Sequence, residues 1–395
     1  MEVLIVGGGI GGLTLALELH AKGIPCRVFE SAPEIKAVGV GINLLPHAMG
    51  VLSELGLEAA IAKVAIETQE AAFFNRFGQL IYKEALGKRA GYRVPQYSIH
   101  RGDLQALLLE AVKARLGADR LQLGWHCTGF EQDEKEVRAQ FRERGEAKGK
   151  YLIACDGIHS VIRKQLYPDE GEPHYTGVNM WRGVTRWKPV LSGASMTRAG
   201  WLATGKLVHY PIRNHGDGTQ LVNWLWEIET PEHKRWDWNR AAKVEDFIAG
   251  AESWRFDWLD VPAFLRAAEL VLEYPMVDKD PLPAWTFGRV TLLGDAAHPM
   301  VPRGSNGAGQ AILDARALAQ CLSEGGDSLK SYESQRLEPT SNVVLENRRT
   351  PPEAILREVY ERTGDRPFER IDAVISAQEL AALSERYKQV AGLRR

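Results

Sequence analysis

Gly7, Gly9 and Gly12, with Gly8 and Gly11 between them, stand as G-x-G-x-x-G directly after the apolar run 2–6 (EVLIV). Glycines at this spacing allow a tight turn, close approach of the backbone to a pyrophosphate, and a helix packed hard against a strand. The helix opening there offers N–H donors and positive potential to phosphates. Eighteen residues beyond Gly12, at the end of the run CRVF (26–29), stands Glu30. Its carboxylate is placed to accept hydrogen bonds from an adenosine ribose, which disfavours a 2′-phosphate there. The chemistry indicated is dinucleotide binding. The 10 histidines show no H-E-x-x-H or similar ligand spacing, so no metal site is expected. Nor is there a G-x-S-x-G nucleophile turn.

These residues need a strand, a glycine turn, a helix through Leu13, Ala16, Leu17 and Leu19, and a second strand, all within thirty residues. A parallel pair with a right-handed crossover is predicted. Two later segments, YLIACDG (151–157) and RVTLLGD (289–295), repeat one theme: a buried strand ending in an aspartate beside a glycine. Residues 306–322 follow as a helix, with Ala308, Ile312, Ala315, Leu318 and Ala319 on one side. Between the two aspartate-bearing strands the composition shifts, and ten of the 11 tryptophans fall within 181–285. Alternating strings such as NMWRGVTRW (179–187), KLVHYPI (206–212) and QLVNWLWEIE (220–229) predict an inserted, mainly antiparallel sheet, which the segment 66–84 could join. After Leu337 the chain predicts a surface helical tail. The expected fold is α/β: a Rossmann-type dinucleotide domain over 1–175 and 270–345, an inserted β-sheet substrate domain over 176–269, and C-terminal helices over 346–395.

Length and charge set the outer bounds. The 395 residues suffice for two to three structural units. Forty-nine Lys and Arg against 51 Asp and Glu give a net charge of -2, so no global field draws the chain to nucleic acid or anionic lipid. The scattered Cys26, Cys127, Cys155 and Cys321 point to reduced thiols in a cytoplasmic protein. The apolar opening carries Glu2, lacks a basic flank and runs into glycines, so it is read as a strand and not as a signal peptide. No run of eighteen apolar residues predicts a membrane span.

The segment Cys155-Asp156-Gly157-Ile158-His159-Ser160-Val161-Ile162-Arg163 resembles the Asp-Gly motif of single-component FAD-dependent aromatic monooxygenases, the para-hydroxybenzoate-hydroxylase-like superfamily. Gly294-Asp295-Ala296-Ala297-His298-Pro299 resembles that superfamily's Gly-Asp motif. Locally, PQYSIHRGDLQ (95–105), MWRGVT (180–185) and YPMVDKDPLP (274–283) are similar to its phenazine-type branch. The likeness covers roughly residues 1–345.

The resemblance implies FAD as cofactor, with NADH or NADPH as co-substrate. It implies that Gly7, Gly9, Gly11, Gly12 and Glu30 meet the ADP part, and that Gly41 lies along the flavin. Arg101 would meet the phosphate or ribityl region, the backbone of Cys127 the adenine, and Asp295 the ribityl hydroxyls. Asp156 and Arg163 would serve FAD and NAD(P)H handling, or form a structural bridge with each other. The stretch from Pro302 through Gly304, Asn306, Gly307 and Ala308 would aim a helix N-terminus at the flavin N1/C2=O edge. This chain has Asn306 where many members carry Gln, which leaves open what its side chain does.

The activity implied is hydroxylation of a small aromatic or heteroaromatic molecule with O₂ through a flavin C4a-hydroperoxide. No protein nucleophile is then needed; Pro302, Asn306 and His209 are the candidate catalytic residues. Trp181, Leu207, His209, Tyr210 and Trp224 are candidates for the substrate wall. Strand alternation sets Leu207 and His209 on one face and Lys206, Val208 and Tyr210 on the other. Which face meets the substrate is open. Gly39 and Gly41 suggest a mobile flavin, and a bulky residue at 41 is expected to obstruct it while sparing the fold. An oxidase, dehydrogenase or halogenase on the same fold, or a flavin-bound module without turnover, are the alternatives. Trp224-x-Trp226-x-Ile228 echoes a halogenase motif but has Glu229 where that motif has proline, so strand alternation is the expected cause. The partners expected are the aromatic substrate and O₂, with no nucleic acid and no membrane, in a monomer or homodimer.

Overall fold

The computed structural model describes residues 2–35, 39–231, 240–349 and 353–393. Trp236 and Trp238 lie outside the described residues.

The strand Val3–Val6 is buried along its whole length and pairs in parallel with Cys26–Glu30 on one side and Tyr151–Ala154 on the other. A strand covered on both faces must be apolar throughout, which is why VLIV does not alternate. A six-stranded sheet results, continued by Leu121–Leu123 beyond Cys26–Glu30 and by Val290–Leu292 and then Thr286–Phe287 beyond Tyr151–Ala154. The helix Ile10–Ala21 leaves the glycine turn and packs against the helices Gly307–Glu324 and Arg101–Leu116. Even its Glu18 is buried, held by Arg316 at 2.9 Å.

The second sheet has eight strands, in the order Arg240–Ala241, Ala268–Asp278, His174–Trp187, Gln220–Glu229, Gly205–Asn214, Ser195–Trp201, Glu70–Phe74, Leu80–Ala85. Residues of the 66–84 segment thus form its far edge. The strand Ala268–Asp278 also belongs to this sheet, although residues from 270 onward were expected with the dinucleotide part. The long strand His174–Trp187 accounts for this: it pairs with Ala268–Asp278 on one side and Gln220–Glu229 on the other.

Each face of this sheet has its own cover. Leu207, Trp181, Trp224 and Trp226 point into a core closed by Phe247, Ile248, Trp254, Phe264 and Leu265. Val208, Tyr210, Leu225 and Met196 point the opposite way, toward Val40 and Val301. A small antiparallel sheet of Gly41–Leu44, Tyr97–His100 and Ile66–Glu67 packs against the strands Gly205–Asn214 and Gln220–Glu229 and the helices Arg101–Leu116 and Gly307–Glu324.

The tail is not a surface appendage. Ile355, Leu356 and Val359 of the helix Ala354–Thr363 and Leu380 of the helix Ala377–Val390 are buried against Ala71, Phe73 and Ile81 of the large sheet. An amphipathic helix looks surface-bound in sequence; here the apolar side of the strands near the sheet's far edge receives its inner stripe. Among the described residues, no helix is long and apolar enough to cross a membrane.

Candidate active site

The glycine turn divides by function. Gly7 has φ +110°, and a Cβ there would lie 2.2 Å from the Cys155 carbonyl oxygen. A Cβ on Gly12 would lie 2.0 Å from the Gly7 oxygen. Gly11 has Leu293 at 2.9 Å from the same test position. These three are glycine because protein atoms fill the space. At Gly9 an added Cβ would meet nothing within 4 Å, and Gly9 lines the cavity. No side chain caps the helix that follows. Its first N–H groups therefore look out unsatisfied, as an anion site requires. A pyrophosphate fits this cradle.

Glu30 closes its strand as expected and is tied to the turn. Its Oε2 accepts from the Gly8 N–H at 2.7 Å and its Oε1 from the Ala32 N–H at 2.8 Å. Cys127 is buried at the start of the strand Cys127–Gln132, and neither it nor Glu30 lines the cavity.

The cavity, about 330 Å³, lies between the glycine turn and the large sheet. Gly41, Arg101, Asp295, Pro302, Gly304, Asn306, Gly307, Ala308 and Tyr210 all reach it. Arg101 starts the helix Arg101–Leu116, and its N–H donates to the Val40 oxygen at 3.0 Å. Asp295 opens onto the cavity from a tight turn that begins at Gly294 (φ +62°). Asp314 secures that turn: it binds His298 Nε2 at 2.6 Å, accepts from the Gly294 N–H at 3.2 Å, and is itself held by Arg336 at 2.7 Å.

Arg163 and Asp156 do not pair with each other. Arg163 is buried and binds Glu170, with Nε at 2.9 Å from Oε2. Its Nη1 donates to the Ala296 and Ala297 oxygens at 3.0 and 2.8 Å. It therefore braces the turn beside Asp295. Asp156 accepts from the Val161 N–H at 2.9 Å, while its Oδ1 is buried without a partner.

Four of the five substrate-wall candidates face away. Trp181, Leu207, His209 and Trp224 lie in the core behind the sheet. His209 sits between Trp258 and Phe264, both ring nitrogens lack partners, and burial pushes it down to about 3. It is a neutral core residue, not an acid or base at the cavity. The physical reason is volume: the bulky rings fill the deep side of the sheet, while smaller residues leave room on the other. Of the five, Tyr210 lies on the cavity side, where its hydroxyl donates to the Gly41 oxygen at 2.9 Å. Arg182 Nη2 donates to the same oxygen at 2.9 Å, and the Gly41 N–H donates to Asn223 Oδ1 at 2.7 Å. A Cβ at Gly41 would fall 2.7 Å from both Asn223 Cβ and Ile212 Cγ2. The expectation that a bulky residue at 41 spares the fold is thus overturned, because Gly41 is pressed against the sheet.

The cavity's far end is charged, which the sequence reading missed. Arg182, Arg198, Arg303, Glu227 and Glu353 line it, and Lys206 stands behind, 2.7 Å from Glu227. Arg198 lies 3.4 Å from Glu353, a residue of the tail. Lys206 and Glu227 are almost wholly buried, and ions so placed persist only in pairs. Burial would raise the Glu353 carboxyl, but Lys206, Arg198 and Arg303 outweigh it and hold it below its usual range. The available signal was the inward alternation of Arg198, Lys206 and Glu227 with Val208 and Leu225. Nothing in the local sequence pointed to Glu353.

Residues 1–346 match a family of FAD-binding domains. Phenazine 1,6-dicarboxylic acid hydroxylase of Lysobacter antibioticus is 42% identical over 362 residues, covering 88% of this chain and 89% of that protein. A 3-amino-4-hydroxybenzoate 2-monooxygenase of Streptomyces cremeus is 33% identical, covering 100% and 96%. In fold, the chain is similar to Klebsiella pneumoniae HpxO, crystallised with FAD and uric acid, with a TM-score of 0.77, 24% identity, and coverage of 99% and 93%. A cradle open only at Gly9, an uncapped helix start and a cavity spanning both sheets agree with these likenesses: the chain belongs to the FAD-binding family of flavoprotein aromatic monooxygenases.

Proposed function

We propose that the protein hydroxylates a flat, anionic, multi-ring heteroaromatic compound, using NAD(P)H and O₂. The observation that carries this reading is the charge balance at the far end of the cavity. Four cations, Arg182, Arg198, Arg303 and Lys206, face two carboxylates, Glu227 and Glu353. Uncompensated guanidinium groups beside an apolar wall of Met196, Val208 and Leu225 suit a ring bearing carboxylate. The names of both relatives describe carboxylated aromatics.

FAD held at the glycine turn supplies the redox and oxygen-transfer chemistry. Gly9 and the first helical N–H groups would hold its pyrophosphate, Arg101 would add charge there, and Asp295 would accept hydrogen bonds from ribityl hydroxyls. Glu30 has lone pairs left for a ribose beyond those used by Gly8 and Ala32. Tyr210 and Arg182 fix Gly41, which sets that side of the cavity. The sheet wall would limit water at the site, and Arg303 with Arg182 would orient the substrate's carboxylate.

The test compares aromatic acids with their decarboxylated analogues, scoring stimulated NAD(P)H oxidation and ¹⁸O from ¹⁸O₂ in the product. The reading expects label in the products of acids alone. NAD(P)H oxidation without label in any product would indicate an oxidase and overturn it. Arg303→Ala should raise KM for the acid about tenfold, with little change in KM for the nicotinamide.

A further inference from the structure

The side chain of Asn306 is completely buried in the turn before the helix Gly307–Glu324. Its Nδ2 donates to Tyr387 Oη at 2.7 Å and lies 3.3 Å from the Gly304 oxygen. Tyr387 belongs to the tail helix Ala377–Val390 and is also buried. A phenol has one proton to give. Tyr387 gives it to Asn347 Oδ1 at 2.7 Å, so its oxygen is free to accept from Asn306.

At the other end of the amide, Asn306 Oδ1 is buried without a hydrogen-bond partner, and so is Nε2 of the nearby His47. His47 Nδ1 accepts from the Ala48 N–H at 2.9 Å. The neutral ring therefore carries its proton on Nε2. Burial pushes His47 down to about 4, so the ring stays neutral near pH 7. A one-way pair of donations follows: Asn306 to Tyr387, and Tyr387 to Asn347. It threads beneath the turn 302–306 and ends in the tail.

The turn is also shaped to the phenol. Gly304 has φ +70°, and a Cβ there would lie 1.7 Å from Tyr387 Oη. The hydroxyl occupies the space a side chain at 304 would need. The same turn carries Pro302, Gly304, Ser305 and Gly307 to the cavity.

We propose that the Tyr387 hydroxyl is a positioning residue for the FAD site, acting through Asn306 to hold the turn 302–306 and the start of the helix Gly307–Glu324. The short side chain at 306 then has a role of its own: it is the shorter of two links between the turn and the tail, the other being Tyr387 Oη to the Arg303 oxygen at 3.4 Å. The proposal rests on the FAD family and not on the substrate reading, so the acid screen can fail without touching it.

The experiment uses Tyr387→Phe, Asn306→Ala and the double variant as full-length proteins, titrated with FAD. Each single variant should weaken FAD binding about fivefold, the worth of one net hydrogen bond. The double should be no weaker than Asn306→Ala alone, because both break one linkage. FAD-saturated Tyr387→Phe should show a displaced visible flavin band and a lower kcat with unchanged KM for the aromatic substrate. A merely structural hydroxyl would lower the unfolding temperature and leave band and kcat alone. Wild-type affinity and spectrum in Tyr387→Phe, or losses that multiply in the double variant, overturn the proposal. Should Tyr387→Phe fail to fold, Asn347→Ala removes only the far end of the chain. It must weaken FAD binding in the same direction, and wild-type affinity in that variant overturns the proposal equally.

Discussion

Gly9→Ala should strengthen the empty protein and weaken its hold on FAD. Gly9 has φ -76° and ψ -175°, a conformation alanine adopts freely, and the new Cβ would touch no protein atom within 4 Å. Substitution of glycine at such a position removes freedom from the unfolded chain and stabilises by about 0.4–1 kcal/mol. Unfolding entropy of about 2.1 cal/mol/K per residue makes that a rise of about 0.5–1 °C for a chain this long. With FAD present the methyl intrudes where the pyrophosphate must lie. Overpacking of about 1–3 kcal/mol corresponds to an affinity about 5–150-fold lower. The stabilisation that FAD confers shrinks by the same amount, so apoprotein and holoprotein shift in opposite directions. Thermal unfolding with and without FAD, together with fluorescence titration, reads both signs. Gly12→Ala is the contrast: its Cβ would stand 2.0 Å from the Gly7 oxygen, so the apoprotein itself should lose stability. FAD affinity within twofold of wild type in Gly9→Ala would refute the placement of the pyrophosphate at this turn.

Three further outcomes are expected. Gly41→Ala should destabilise the apoprotein by about 2–4 kcal/mol, from overpacking on Asn223 and Ile212 and the weakening of a hydrogen bond to the sheet; an unchanged urea midpoint would show that the strand Gly41–Leu44 yields freely. Leu207→Ala should cost about 2–5 kcal/mol while KM for the aromatic substrate stays put, since Leu207 is fully buried behind the sheet; a changed KM would place it at the cavity after all. Glu353→Gln should flatten the acid limb of the stability profile. The Glu353 carboxyl titrates lower in the folded chain than in the unfolded one, so its contribution is present above the ordinary glutamate range and fades as pH falls through the folded value. Urea midpoints at pH 7 and pH 4 that drop equally in wild type and variant would remove Glu353 from that role.

The dinucleotide part was legible because its signals are local. Turn, helix and acid fall between Gly7 and Glu30, and the two aspartate-bearing strands announce themselves by apolar runs ending at glycine. The large sheet was legible as strands, but its orientation was not. Alternation says that Leu207 and Val208 point oppositely, and it is silent on which side meets the flavin. Tryptophan density put Trp181 and Trp224 among the wall candidates, because rings that could line a pocket equally fill a core. Arg163 was found by its motif, yet its partner Glu170 was not, since pairing is settled by the fold and not by spacing. Glu353 and Tyr387 were beyond reach: each meets the cavity region only through packing of the tail on an edge strand far away in sequence.

The strand order of the six-stranded sheet carries a consequence for how the protein is made. Val3–Val6 is made long before its neighbour on one side, residues 151–154, and before the strand beyond that, 290–292. At synthesis rates of about 5–20 residues per second, the opening strand waits about 15–60 s for its sheet to close. Cys26–Glu30 is available early, but throughout that interval the other edge of VLIV is apolar and unpaired, the kind of surface that associates with other chains. Parallel pairing across such distances is slow even after release. Yield in a foreign host should therefore follow temperature and chaperone supply more closely than it follows the stability of the finished fold.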